Sequence, residues 1–229
     1  MNVLMRAMLM VIAAWTCAMG ATLTVVAVKG DVFVRHNVQE DWIPVARGDV
    51  LKPDDSIRSG KHASATIAVE GAANVSIPEL VIVDLSDLRQ IPTEDLILEL
   101  TMESVRTLPA GRPEEELTLP RTTTVHGANR DAHPGSVVPD DAAAAMQLDG
   151  AQVLYTNGYY ATCVLKARQV FRRHRDLLGR VDRRLMVAQA LEKLKLDGEA
   201  KDEYISLSRE SLSPDQKAVV TEKIDQLSR

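Results

Sequence analysis

Histidine, paired acids, clustered arginine and cysteine are the residues here whose types and spacing could do chemistry. Imidazole can carry protons near neutral pH and ligate metals, and the chain has five: His36, His62, His126, His133 and His174. None stands four residues from another, so no helix face offers a two-histidine metal grip. His126, Asp131 and His133 are close in sequence and have ligand chemistry. They lie among Pro, Gly and Thr, however, and tight metal sites want ligands on rigid elements, so the segment reads as a solvated loop. Asp54-Asp55 and Asp140-Asp141 are paired carboxylates at a turn and at a helix start, where turn formation and capping account for them. Gly-x-Ser-x-Gly, a phosphate-binding Walker loop and His-Glu-x-x-His are all missing from the sequence. The expectation is a non-enzymatic chain with no cofactor and no metal site.

The sharpest charge feature is Arg172-Arg173-His174-Arg175, followed by Arg180, Arg183 and Arg184. Such a run can meet an acidic partner or anionic lipid head groups. It can also be a solvated helix end, where cations complement the helix dipole. Arg168, Arg172, Arg173 and Arg175 are the candidate partner-binding residues. Cys163 falls on the apolar side of its helix and reads as a packed small residue rather than a reactive thiol.

Composition narrows the partners. The formal charge of −5 argues against a general nucleic-acid binder. Aromatics are only 3% of residues, so stacking platforms for bases or sugars are scarce. At the N-terminus, Arg6 precedes an apolar run and then Cys17, Ala18, Gly20 and Ala21. A positive start, an apolar stretch and small residues make a secretory signal, with cleavage expected before Ala21 and residues 1–20 removed. Two alternatives stay open. The uncharged stretch is long enough for an uncleaved anchor, or Cys17 could be lipidated, and only then is membrane contact expected. Cleavage leaves Cys163 as the single cysteine, so the fold must rest on its core.

The elements that position these residues divide the chain. Residues 21–90 read as a small β-domain. Runs at 22–28, 32–35, 64–69 and 80–85 alternate with turn formers such as Lys29-Gly30-Asp31, Arg47-Gly48-Asp49 and Ser59-Gly60. Residues 91–140 read as a linker. Within it, 93–106 could be a helix capped by Thr93, or a strand by the Leu96/Leu98/Leu100 alternation. Proline and glycine recur from 108 to 140, which predicts independent motion of the two halves. Residues 141–229 read as helical. Leu148, Ala151, Leu154, Tyr160 and Val164 are expected to close the core between the first two helices, with Gln152, Arg168 and Arg172 facing outward. Asn157-Gly158 and Asp197-Gly198 mark breaks. Ser213-Pro214-Asp215-Gln216 is a complete helix start, before a last helix burying Val219, Ile224 and Leu227.

Residues 25–85 resemble the FecR domain, known from a periplasmic sensor of iron-citrate uptake. The similarity rests on Val28-x-Gly30-Asp31-Val32, Trp42-x-Pro44-Val45, Gly48-Asp49-x-Leu51, Asp55-x-Ile57-x-Ser59-Gly60, Ser64-x-Thr66-Ile67 and Ile77-Pro78. Gly30, Asp31, Trp42, Gly48, Asp49 and Gly60 are its structural motif, with Trp42 expected as the core anchor. The helical half resembles tetratricopeptide-type helix pairs through Gly158-x-Tyr160-x-x-Cys163, with Gly198, Ala200 and Tyr204 as a looser second copy. The fold expectation is therefore α+β: an N-terminal all-β FecR-like domain followed by an α-helical hairpin domain. The resemblance implies a periplasmic or otherwise extracytoplasmic binding or scaffold protein, in signalling or assembly with envelope proteins. Only a few residues precede the apolar run, so direct control of a sigma factor is not expected. The alternative is an accessory protein that binds peptidoglycan or another polysaccharide.

Overall fold

The computed structural model describes residues 22–37, 41–107 and 138–229. The chain is α+β, with an antiparallel β half followed by a helical half. The strands are β1 (Leu23–Lys29), β2 (Val32–Arg35), β3 (Ile43–Pro44), β4 (Val50–Leu51), β5 (Ser56–Ser59), β6 (Ser64–Val69), β7 (Val75–Ile77) and β8 (Ile82–Asp84). They form two four-stranded sheets, ordered β4-β1-β6-β7 and β3-β2-β5-β8. Alternation sets the faces. In β6, Ala65, Ile67 and Val69 are buried between half-exposed Ser64, Thr66 and Ala68. In β2, Val32 and Val34 face inward while Phe33 and Arg35 face outward. Val25, Ile57, Ile67, Val75, Ile77 and Val83 fill the interior.

Trp42 is not in that interior. It is half-buried on the outward face of the second sheet, at the mouth of the two-residue edge strand β3. Its ring lies 4.7 Å from the Arg58 guanidinium and 4.9 Å from that of Arg35. Phe33 stacks on Arg58 as well, at 4.9 Å. Aliphatic side chains already fill the core, so Trp42 does a different job. It shields Arg58, which is only 3% exposed, by presenting a π face to the charge. Burial and the nearby Arg35 charge lower the Arg58 guanidinium below the ordinary arginine value. The other motif residues are turn formers. Gly30 and Gly48 have positive φ, Gly60 donates its N–H to the Asp31 carbonyl, and the Asp49 carboxylate accepts from Ala46 N.

After a 3₁₀ turn at Leu85–Asp87, helix α1 (Thr93–Thr107) forms. Leu96 and Leu100, four apart, are buried, and Leu98 is exposed. That spacing is a helix face, so the helix alternative holds and the strand alternative does not. The helical half comprises α2 (Asp140–Thr156), α3 (Tyr160–Arg173), α4 (Val181–Lys193), α5 (Asp197–Leu207) and α6 (Pro214–Gln226). From α3 onward, each packs on the helix before it in sequence. Leu148, Ala151, Leu154 and Val164 are fully buried, and Tyr160 is half-buried against Tyr155 in an edge-to-face pair with ring centroids 5.5 Å apart. Ser213 and Gln216 form a reciprocal capping box at the start of α6. In that helix Val220, not Val219, is the buried valine; Val219 is 39% exposed.

Two helical hairpins share one turn geometry. At the end of α2, the Tyr159 N–H donates to the Leu154 carbonyl and the Gly158 N–H to Tyr155. At the end of α4, Leu196 donates to Leu191 and Lys195 to Glu192. Both are Schellman closures, in which the residue past the cap turns left-handed. Gly158 has φ +81° and Lys195 φ +61°. The equivalent of Gly158 is therefore Lys195, 37 positions on, and not Gly198. Gly198 lies in the first turn of α5 rather than in a break. Cys163 corresponds to Ala200, Val170 to Leu207 and Leu154 to Leu191 in the same register, all of them buried.

The helices dock on the outward face of the second sheet, where α2 lies along β8 and α3 reaches the 3₁₀ turn. The buried residues of both halves form one continuous hydrophobic core. Independent motion of the halves does not fit this packing. Residues 108–137 of the expected linker, and the whole of the expected signal peptide 1–20, lie outside the described residues.

Candidate functional site

Helix α3 carries the polar chemistry of the interface and of the surface beside it. Its apolar face needs small and aliphatic residues, and Cys163, Val164, Ala167 and Val170 are all buried. Lys166 falls on the same side, three after Cys163 and four before Val170, and only 8% of it is exposed. A buried ammonium must be paired. Lys166 Nζ donates to Asp84 Oδ2 and lies 3.4 Å from Asp87 Oδ2. Asp84 also accepts from Ser56 Oγ at 2.6 Å.

The three groups respond differently to this setting. Burial alone would lower the Lys166 ammonium, but the Asp87 and Asp84 charges and hydrogen bonds raise it above the usual lysine value. Burial alone would raise Asp84. The Lys166 charge, hydrogen bonds from Lys166 and Ser56, and Arg35 overcome it and hold that carboxyl low. For Asp87, burial wins over Lys166, and the Asp84 charge reinforces it, so its carboxyl is raised. Asp87 Oδ2 is buried with no hydrogen-bond partner at good geometry. Lys166 thus satisfies one carboxylate fully and the other only in part.

The basic run sits at the far end of α3. Arg172 and Arg173 occupy its last turn, and Arg175 begins the 3₁₀ turn Arg175–Gly179. Arg168, Arg172 and Arg175 line a single cavity of about 360 Å³, completed by Phe171, Leu178, Arg184, Val187 and Glu203. Arg173 is exposed and does not line it. Three of the four candidate arginines are therefore brought together. The later arginines are structural. Arg184 donates to Glu203 and Ser206 on α5 and to Glu210 beyond it, and Arg183 ties α4 to Asp149 and Gln152 of α2. Among the described residues, Glu203 is the one acid lining the cavity, and Arg184 engages it at 2.9 Å. Among the described residues, Arg168 and Arg175 make no ion pair with a carboxylate. The result is a basic rim over an apolar floor of Phe171 and Val187, which suits an acidic group carried on an apolar body.

The remaining candidates take structural places. His36 Nδ1 meets Asp55 at 2.9 Å, and Asp55 also accepts from Lys52 N to close its turn. His62 lies 3.3 Å from Glu79. His126, Asp131 and His133 lie outside the described residues. Among the described residues, no group of three potential ligands could hold a metal, and no helix is long and apolar enough to cross a membrane. Cys163 is fully buried, and burial pushes its thiol up to about 12. The Lys166 cluster was missed by the sequence reading. A lysine at i+3 and i−4 of buried positions was its signal. Set beside protein-family models, curated proteins and solved structures, the chain matches none.

Proposed function

We propose that this chain is a non-enzymatic binding or scaffolding protein of the cell envelope that holds an acidic protein partner on the basic pocket of its helical half. The observation that carries the proposal is the convergence of Arg168, Arg172 and Arg175 over Phe171 and Val187, with the one lining carboxylate already engaged by Arg184. Charge of one sign around an apolar floor favours partners of the opposite sign and speeds their docking. On this reading the β half is a FecR-like module, supported by the placement of Gly30, Gly48 and Asp49 at its turns. Its role is to fix the helices through β8. The extracytoplasmic setting rests on the signal-like composition of residues 1–20.

The test is a pull-down from envelope extract with the full chain, wild type against Arg168→Glu/Arg175→Glu. Both side chains lie at the surface without carboxylate partners, so the fold should survive, and circular dichroism checks this. The expected outcome is capture of defined proteins by wild type, weakened by added salt and lost in the double variant. Equal capture by the variant, or capture indifferent to salt, would overturn the assignment to this pocket.

A further inference from the structure

Helix α1 leaves an apolar strip in solvent. Leu96 and Leu100 hold its inner side, while Ile97, Leu98 and Met102 are 41%, 60% and 39% exposed. Single apolar side chains on a surface need no explanation. Three within six residues of one helix make a patch, and a patch rimmed by charge marks a contact site. The rim here is acidic. Glu94, Asp95 and Glu99 are exposed, and none of them makes an ion pair among the described residues. The first-turn acids Glu94 and Asp95 also complement the helix dipole, whereas Glu99 lies beyond that turn. Asp95, Leu98, Glu99 and Met102 stand at i, i+3, i+4 and i+7, so acid and apolar side chains share one face.

That face is the chemical counterpart of the pocket at the end of α3. The pocket sets Arg168 and Arg175 around an apolar floor of Phe171 and Val187, with Leu178 38% exposed at its edge. A helix docks in a groove through anchors at such spacings, and a methionine adapts its shape to an irregular floor. The two patches also adjoin. Asp95 and Glu99 border the cleft between α1 and α3, and Arg172 lines both that cleft and the pocket. A two-fold axis can exchange two complementary patches that lie side by side. Each α1 then enters the other copy's pocket, both contacts form together, and the assembly closes at two copies. Pairing of α1 with α1 would instead set acid against acid, which is unfavourable.

We propose that the acidic partner held by the basic pocket is a second copy of this chain. In this two-fold dimer, Leu98 and Met102 of each copy rest on Phe171 and Val187 of the other, while Asp95 and Glu99 face its Arg168 and Arg175. This names the occupant of the pocket, and so rests on the reading of that pocket as a site for an acidic partner.

Sedimentation velocity on the full chain tests this, at concentrations up to about 100 μM, where a contact of micromolar strength is largely formed. The wild type is expected to dimerise, less strongly as salt is added. Asp95→Lys/Glu99→Lys and Arg168→Glu/Arg175→Glu each set like charges across the contact, and each should weaken dimerisation by about tenfold or more. Mixed in equal amounts, the two variants are complementary again and should form a heterodimer of wild-type strength. Leu98→Ser should weaken dimerisation without changing charge. Melting curves check that each variant is folded. A monomeric wild type, variants that dimerise like the wild type, or a mixture of folded variants that fails to pair would each overturn the proposal. A monomeric wild type that still captures envelope proteins through Arg168 and Arg175 would overturn it and leave the pocket reading standing. Loss of both dimer and capture would remove the two together.

Discussion

Gly150 of α2 rests directly on the backbone of Ile82 in β8: a Cβ at Gly150 would stand 2.0 Å from the Ile82 carbonyl oxygen. Glycine in mid-helix ordinarily costs about 1 kcal/mol relative to alanine. Here it permits a closer approach of helix to sheet than any other residue would allow. Gly150→Ala therefore has two opposed effects, and the steric one should win. Overpacking of a tight interface typically costs about 1–3 kcal/mol, and the atom in the way is backbone, which cannot rotate aside. A lower melting temperature and a lower urea midpoint are expected. Stabilisation by Gly150→Ala would mean that α2 does not sit on β8 this closely.

The Lys166 cluster should respond asymmetrically. The fold holds the Asp84 carboxyl low and the Asp87 carboxyl high. It therefore favours the ionised form of Asp84 and disfavours that of Asp87. At neutral pH, Asp84→Asn should destabilise, whereas Asp87→Asn should be neutral or stabilising. Removing one partner of a buried pair costs about 3 kcal/mol or more, so Lys166→Met should be the most damaging of the three. Adding Asp84→Asn and Asp87→Asn to it should recover much of the loss, because no uncompensated charge then remains. The pH dependence has a definite sign. Asp84 contributes stability that is present above about pH 4 and lost as pH falls through its lowered folded value. Asp87 acts oppositely in acid. Chemical denaturation of the set from pH 3 to 7 measures both trends.

How much of this could be read from the sequence depends on what each residue meets. The order of β half then helical half was legible, because period-two and period-3.6 patterns are local. So was the capping box at Ser213 and Gln216, which needs four residues and nothing else. The convergence of Arg168, Arg172 and Arg175 was partly legible, since helix spacing puts the first two on one face. Their apolar floor was not, because Val187 comes from another helix. Trp42 misled because the largest side chain of a β-domain is usually buried in its interior. Its true partner, Arg58, sits on a neighbouring strand pair, with Phe33 and Arg58 opposite one another across β2 and β5. The docking of the two halves had one faint signal, a glycine inside an alanine-rich helix. Which surface it met depended on the sheet.

The repeat in the helical half was hidden by Lys195. A glycine at the left-handed position marks a Schellman turn in sequence, but the second copy uses lysine at φ +61°. A residue with a Cβ is strained there by about 1–2 kcal/mol. Lys195 is exposed and makes no side-chain bond among the described residues. Lys195→Gly should therefore stabilise the protein, by about 1 kcal/mol after glycine's greater unfolded-state freedom is subtracted. Gly158→Lys at the matching turn should destabilise by a similar amount. Urea titration of the two variants makes the comparison. Destabilisation by Lys195→Gly would place the lysine side chain in a role its geometry does not suggest.

Cys163 gives the last expectation, because its thiol has no access to solvent and a much raised pKa. A thiol in an unfolded chain ionises near about pH 8.5, whereas in the folded protein it does so at about 12. Between those values the unfolded state releases a proton that the folded state keeps. Stability must therefore fall as pH rises from the lower value toward the upper one. The tyrosines and Lys166 begin to contribute only above about pH 9, so the interval from about 8 to 9 isolates the cysteine. Cys163→Ala should flatten the decline there, and the buried Ala200 at the matching position of the second hairpin indicates that alanine fits such a site. The same burial should protect the native thiol from Ellman's reagent at pH 8. Labelling should then proceed only as fast as the protein opens and should rise in step with urea-induced unfolding. Rapid labelling of Cys163 in the folded protein would show that α3 separates from α2 far more often than this packing allows.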